Sequence, residues 1–272
     1  MSSRISKAFL ELRNKKTKGF IPFITAGDPS ISLSLEIIKS LPKAGADLIE
    51  IGMPFSDPMA DGKIIQASSL RALDQGITIK KILEMISIFR ENDDVTPIIL
   101  MGYFNPIYNF GVDKFLNLCK KNGVDGLIVV DLPFEHDDEL CIPAKKSGID
   151  FIRLVAPTTN EKRIPYLLEQ SSGFVYCISL SGITGSQEAK TKIVTDTINR
   201  IKKFSELPIA VGFGIKTPKQ AGEMSLKADA TVIGSIIVEK INEICSLNIN
   251  NEIKLNQIYS FINLFSEEIH KS

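Results

Sequence analysis

Histidine is scarce: the chain of 272 residues holds two, His136 and His270. A Ser-His-Asp or Cys-His triad would have to be built on His136, and a His-rich zinc site is excluded. The four cysteines, Cys119, Cys141, Cys177 and Cys245, form no CxxC pair and lack metal-ligand spacing, so they read as reduced core thiols of a cytosol-like compartment. No stretch approaches the ~18 consecutive apolar residues of a membrane span. The N-terminus lacks the uncharged core of a secretory leader; charges run through MSSRISKAFLELRNKK, with Ile5, Phe9 and Leu12 at helical spacing. There is also no excess of charge, since 32 Lys and Arg balance 32 Asp and Glu, and nothing in the whole-molecule field attracts nucleic acid or anionic lipid. A soluble, unprocessed protein is expected, with neither nucleic acid nor membrane as partner.

What is present is core material: 44% of residues are hydrophobic and 24% charged, which excludes disorder as the main state. Eight short runs read as buried strands: Phe20–Thr25, Asp47–Ile51, Pro97–Met101, Gly126–Val130, Phe151–Val155, Phe174–Ser179, Pro208–Gly212 and Ala230–Ile233. Most are apolar on both faces, the pattern of a parallel sheet covered on one side and filled on the other. Amphipathic segments lie between them, with N-cap candidates at Ser30, at Thr78 and at Thr217, the last followed by Pro218. This βα alternation predicts a (β/α)8 TIM barrel in preference to a doubly wound open sheet, which more often has fewer strands. The segment before the first strand is an extra N-terminal helix, and Ile253–Phe265, striped by Leu255, Ile258, Ile262 and Phe265, is the closing helix. No linker, low-complexity tract or strong repeat interrupts the chain, so residues 1–272 are expected to form a single domain.

Active sites of such barrels lie in the loops after the strands. Glu50 ends the otherwise apolar second strand, where a carboxyl pointing into the barrel mouth meets little water, has a raised pKa, and can both give and take a proton near neutrality. A salt-bridged or edge glutamate is the plain structural alternative. Asp61 follows eleven positions later on a Pro- and Gly-rich loop. Two carboxyls in different environments suit paired acid and base work, although Asp57 or Asp61 could equally cap a turn. Glycine-bearing turns follow the sixth, seventh and eighth strands, Ser181–Ser186, Gly212–Ile215 and Gly234-Ser235, the last opening a helix. Their amides suit a phosphate, while each glycine alone is an ordinary turn residue. Tyr103 and Asn105 either line the mouth or fix their loop. Asp131 reads as a hydrogen-bond anchor, His136 as part of a solvated helix start, and Tyr176 as a buried phenol for which Glu50 is a plausible partner. No lysine stands at an apolar strand end, which disfavours a Schiff-base aldolase.

The stretch Glu50–Gln66, EIGMPFSDPMADGKIIQ, closely resembles the signature of the tryptophan synthase alpha subunit family. The resemblance continues in order along nearly the whole chain: Phe20–Pro29, Ile99–Pro106, Asp131-Leu132-Pro133, Ser181–Gly185, Val211–Ile215 and Ile233–Ser235. It implies a (β/α)8 barrel and a lyase of tryptophan biosynthesis that splits indole-3-glycerol phosphate into indole and glyceraldehyde 3-phosphate by a retro-aldol reaction, without metal or organic cofactor. It further implies Glu50 as general acid/base and Asp61 as the carboxylate at the indole N–H. Phe23, Ile65, Tyr103, Leu154 and Tyr176 resemble indole-pocket positions. Gly185, Gly214, Gly234 and Ser235 resemble phosphate contacts, with Phe213 beside them, and Thr184 the residue of a lid closing toward Asp61. The implied partner is a beta subunit in an αββα complex that receives the indole and carries pyridoxal phosphate, with Pro54–Asp57 and the Asn105 loop near its surface. Two positions depart from the family: Lys63 stands where proline is usual, and Leu180 where arginine is frequent. They keep open the reading of a non-catalytic activator of the beta subunit; a free-standing indole-releasing lyase is a further alternative. Another phosphate-sugar barrel would explain the glycines but not PFSDPMADG. The Ile-, Lys- and Asn-rich composition suits an AT-rich genome, bacterial or plastid, which places the chain in cytoplasm or stroma.

Overall fold

The runs that are apolar on both faces become parallel strands, because each must be buried from two sides at once. The computed structural model describes residues 3–178, 187–212 and 214–272, leaving aside the side chains of 187–190. Its strands are β1 (Gly19–Thr25), β2 (Ile49–Gly52), β3 (Ile98–Gly102), β4 (Gly126–Val129), β5 (Asp150–Phe151), β6 (Arg153–Val155), β7 (Val175–Ile178), β8 (Ile209–Gly212) and β9 (Ala230–Ile233). They form one sheet in the order β5-β4-β3-β2-β1-β9-β8-β7-β6. The two ends of that order are the halves of a single strand broken at Ile152, whose N–H donates to the Leu127 carbonyl at 2.9 Å. The nine-stranded sheet therefore closes on itself with eight strand positions, the (β/α)8 arrangement expected from sequence.

The helices are α1 (Arg4–Lys15), α2 (Ile31–Ser40), α3 (Lys63–Asp74), α4 (Ile79–Arg90), α5 (Phe104–Phe110), α6 (Val112–Asn122), α7 (Cys141–Lys146), α8 (Ile164–Glu169), α9 (Gln187–Lys202), α10 (Pro218–Ser225), α11 (Ser235–Cys245) and α12 (Asn251–His270). The side chains of Ser30, Thr78 and Thr217 cap α2, α4 and α10, accepting from the N–H groups of Leu33, Lys81 and Gln220. These are the three caps legible in the sequence. The closing helix, expected to end at Phe265, runs on to His270. Ile269 extends the buried stripe, and His270 Nε2 lies 2.8 Å from Asp47 Oδ2, tying the last turn to the start of β2. Among the described residues, no helix is long and apolar enough to cross a membrane. All four cysteines are free thiols, three of them buried.

Strand alternation divides the apolar side chains into two layers. Phe20 and Ile24 of β1 face the helices, whereas Ile21 and Phe23 face the barrel interior with Leu48, Ile99, Ile128, Phe174 and Val232. The interior layer is completed by Ile5, Phe9 and Leu12 of α1, and the Phe9 ring lies 5.7 Å from that of Phe174. The extra N-terminal helix thus plugs the end of the barrel from which the strands start. Arg4 secures it through Asp125, 3.0 Å away, which also binds Arg90 at 2.7 Å. Chemistry is left to the opposite, C-terminal mouth.

Candidate active site

Glu50 occupies an inward position of β2, in register with Phe23 of β1 and Ile99 of β3. It is 1% exposed, and neither carboxyl oxygen has a hydrogen-bond partner among the described residues. Loss of water raises its pKa to about 8, and the nearby charge of Asp61 adds to the rise. Among the described residues Glu50 forms no salt bridge. Tyr176, for which Glu50 is a plausible partner from sequence, makes no hydrogen bond to it; its hydroxyl lies against β8, 2.3 Å from where a side chain on Gly212 would begin. Burial, followed by the Glu50 charge, holds that phenol well above its ordinary pKa.

Asp61 lies on the turn before α3, on the rim of the same space. Burial raises its pKa, and a hydrogen bond from Tyr103 opposes the rise. Tyr103 is buried at the end of β3. Its oxygen accepts the Ala60 N–H at 2.9 Å, and burial first among causes pushes its pKa up to about 12. Tyr103 thus fixes a loop and lines the mouth, so the two readings of it coincide. Asn105 is exposed and accepts from Asn109 at 3.0 Å. Asp131 accepts the Phe104 N–H at 2.8 Å, the anchor role expected of it. His136 is exposed on a short 3-10 turn in the loop after β4, 2.9 Å from Glu139, and does not line the cavity described below. Asp57 is an exposed turn residue taking the Ser56 hydroxyl.

A cavity of about 160 Å³ opens at the strand ends, where Phe23, Glu50, Asp61, Ile65 and Tyr176 meet Gly214, Gly234 and Ser235. A smaller space of about 20 Å³ adjoins it, lined by Asp61, Ile65 and Tyr103 among others. Gly214 has φ +27°, a backbone conformation favouring glycine. Gly234 precedes the first residue of α11, Ser235, and both line the cavity, so the N-terminus of this helix lies at the cavity wall. Leu154 packs on the interior cluster but lines neither space. Thr184, Gly185 and Phe213, like Leu180, lie outside the described residues. Lys63 is exposed as the first residue of α3, where φ is helical whichever residue stands there.

Sequence reasoning missed Met101 and Val232, which also line the cavity, as does Ile215 of the Gly212–Ile215 turn. Met101 had a faint signal, standing two positions after inward-facing Ile99 and so on the same face of β3. Among the described residues, no group of three or more His, Cys, Asp or Glu side chains is placed to share a metal ion.

A parallel barrel with two carboxyls on one cavity at its C-terminal mouth, beside glycine turns and a helix N-terminus, has the architecture of a (β/α)8 enzyme. The family model described as tryptophan synthase alpha chain matches residues 9–269, and the chain belongs to that family. Members are lyases that cleave indole-3-glycerol phosphate. The subunit alpha structure from Legionella pneumophila str. Paris is 34% identical, superposes with a TM-score of 0.91 and covers 100% of both chains. A protein from Aquifex aeolicus VF5 is 32% identical with a TM-score of 0.87, over 99% of this chain and 100% of that one. Tryptophan synthase from M. tuberculosis, in an open form with BRD0059 bound, is 26% identical with a TM-score of 0.86, over 99% of each.

Proposed function

We propose that the cleavage is carried by Glu50 and Asp61, and that residues 1–272 act as a single barrel domain. The observation that carries this reading is the convergence of a buried, unpartnered carboxyl of pKa about 8 and a second carboxyl on one cavity. At neutral pH Glu50 holds a proton in a dry site. It delivers that proton to indole C3, placing positive charge on the ring at N1. Asp61, whose pKa is raised by burial with the Tyr103 hydrogen bond opposing that rise, accepts the indole N–H as a carboxylate and stabilises that charge where little water screens it. Glu50, now a carboxylate, takes the proton of the glycerol hydroxyl. The C–C bond breaks, its electron pair restores the indole, and the carbon left behind becomes the aldehyde of glyceraldehyde 3-phosphate. One proton enters and one leaves, so the chain requires no cofactor of its own.

Phe23, Ile65, Tyr103 and Tyr176 would hold the indole, with Leu154 behind them. Gly214, Gly234 and Ser235 would bind the phosphate at the N-terminus of α11, joined by Gly185 and Phe213, and Thr184 would close toward Asp61. The partner is a beta subunit in an αββα assembly; pyridoxal phosphate belongs to that subunit, and indole passes to it. The cytoplasm, or a plastid stroma, is the compartment.

The test is indole release from indole-3-glycerol phosphate by the purified chain, with and without a tryptophan synthase beta subunit. Slow release that rises when beta is added is the expected result. Fast release unaffected by beta would mean a free-standing lyase, and stimulation of beta without any cleavage would mean a regulator. Glu50→Gln should lower indole formation by about 10²–10⁴-fold while substrate still binds. Near-normal turnover in that variant would remove Glu50 from the mechanism.

A further inference from the structure

Asp61 must keep its carboxyl beside the cavity, yet little in its own stretch of chain holds it there. Its loop is exposed, with Met59 at 79%. The following Gly62 has nothing within 4 Å of where a side chain would begin and caps α3 with no side-chain bond. Lys63 does not restrict φ as proline would. The Asp61 N–H donates to Pro58 within the same loop, at 3.1 Å, so that bond does not fix the loop relative to the barrel. The Ala60 N–H ties the neighbouring peptide to Tyr103. The peptide of Asp61 itself is tied to the scaffold, among the described residues, by Gln66, whose Nε2 donates to the Asp61 carbonyl at 2.8 Å.

Gln66 is well supported for this task. It lies in the second turn of α3, with its own N–H donating to Gly62 at 3.0 Å. The helix is clamped to the loop after β1 by a bidentate pair, Arg71 to buried Asp28 at 2.8 Å for both bonds. A buried contact of 2.6 Å between Thr25 and Ser68 adds to that clamp. The amide of Gln66 therefore transfers the rigidity of the barrel wall to Asp61, two residues before the helix.

We propose that Gln66 is a positioning residue for the reaction, holding the main chain of Asp61 so that its carboxylate meets the indole N–H while Glu50 acts on C3. The proposal rests on the roles given above to Glu50 and Asp61. Displacement by about an ångström is enough to misalign such a pair.

The experiment compares Gln66→Met, which keeps the length and removes the donor, with Gln66→Lys, which restores an N–H donor. Asp61→Asn and Glu50→Gln are run alongside, with kcat, KM, the pH profile of kcat/KM and thermal midpoints measured for each. Gln66→Met should lower kcat by about 10- to 100-fold with KM nearly unchanged. Its basic limb should also move to lower pH: among the described residues, the titratable groups facing Glu50 are the Asp61 carboxyl, whose charge adds to the rise that burial causes, and the neutral phenol of Tyr176, so a displaced Asp61 raises Glu50 less. Gln66→Lys should recover most of kcat. Wild-type kcat and profile in Gln66→Met overturn the proposal, as does a fall in kcat accompanied by a lower thermal midpoint and an unmoved profile. If Asp61→Asn itself turns over normally, the assignment of Asp61 fails, and that result is separate from any result at Gln66.

Discussion

Glu50 shows how a single buried carboxyl links activity and stability to pH. Its pKa in the folded chain is about 8 against an ordinary 4.5, so between those values the folded state keeps a proton that the unfolded state has released. Stability linked to this group is fully present below about 4.5 and falls as pH rises toward about 8, then levels off. Glu50→Gln removes the titration. It should raise the urea midpoint relative to the parent by more at pH 9 than at pH 5, and an equal difference at both would contradict the buried, unpartnered state. Activity has the same sign for a related reason: proton delivery to C3 needs the protonated carboxyl, so kcat/KM should fall as pH rises through about 8. A profile flat to pH 9.5 would place the proton donor elsewhere.

At the scale of elements, the cavity depends on how closely β7 and β8 approach. The hydroxyl of Tyr176 fills the space a side chain at Gly212 would take, with Cβ-to-oxygen separation only 2.3 Å. Gly212→Ala should drive the phenol into the cavity and raise KM about tenfold or more, a loss of roughly 1.4 kcal/mol in binding. Removing the hydroxyl as well, in the pair Tyr176→Phe and Gly212→Ala, should recover part of it; equal KM values for single and double variants would show that the contact does not shape the pocket. The same kind of approach recurs at Gly52, where a Cβ would stand 2.5 Å from the Phe23 ring. Glycine at these strand ends thus makes room for aromatic walls, a use distinct from the positive φ of Gly214.

In the molecule as a whole, the two ends of the barrel do separate work. Phe9, 6% exposed, closes the N-terminal end against Phe174, far from the loops that carry Asp61 and Gly234. Phe9→Ala should cost about 3–5 kcal/mol of unfolding free energy and leave KM for indole-3-glycerol phosphate unchanged. Denaturant titration and steady-state kinetics on the same preparation check both. A shift in KM comparable to that of Gly212→Ala would show that the plug and the mouth are coupled.

Much of this was legible in the order of residues, because it is written in short-range pattern. Runs apolar on both faces, the caps at Ser30, Thr78 and Thr217, and the spacing of Ile5, Phe9 and Leu12 each depend on neighbours a few positions away. Glu50 stood out as one charge in an apolar strand, and Asp61 lay in a loop whose composition resembled a family. The last turn of the closing helix is not legible in local pattern, because Asp47, more than two hundred positions distant, holds it. That Tyr176 leans on Gly212 and away from Glu50, that Met101 enters the cavity while Leu154 stays behind it, and that Gln66 holds Asp61 were decided only in three dimensions. The physical reason is closure: once the sheet becomes a ring, tilt and stagger set which inward residues meet across it, and strand sequence carries the alternation of faces but not that angle.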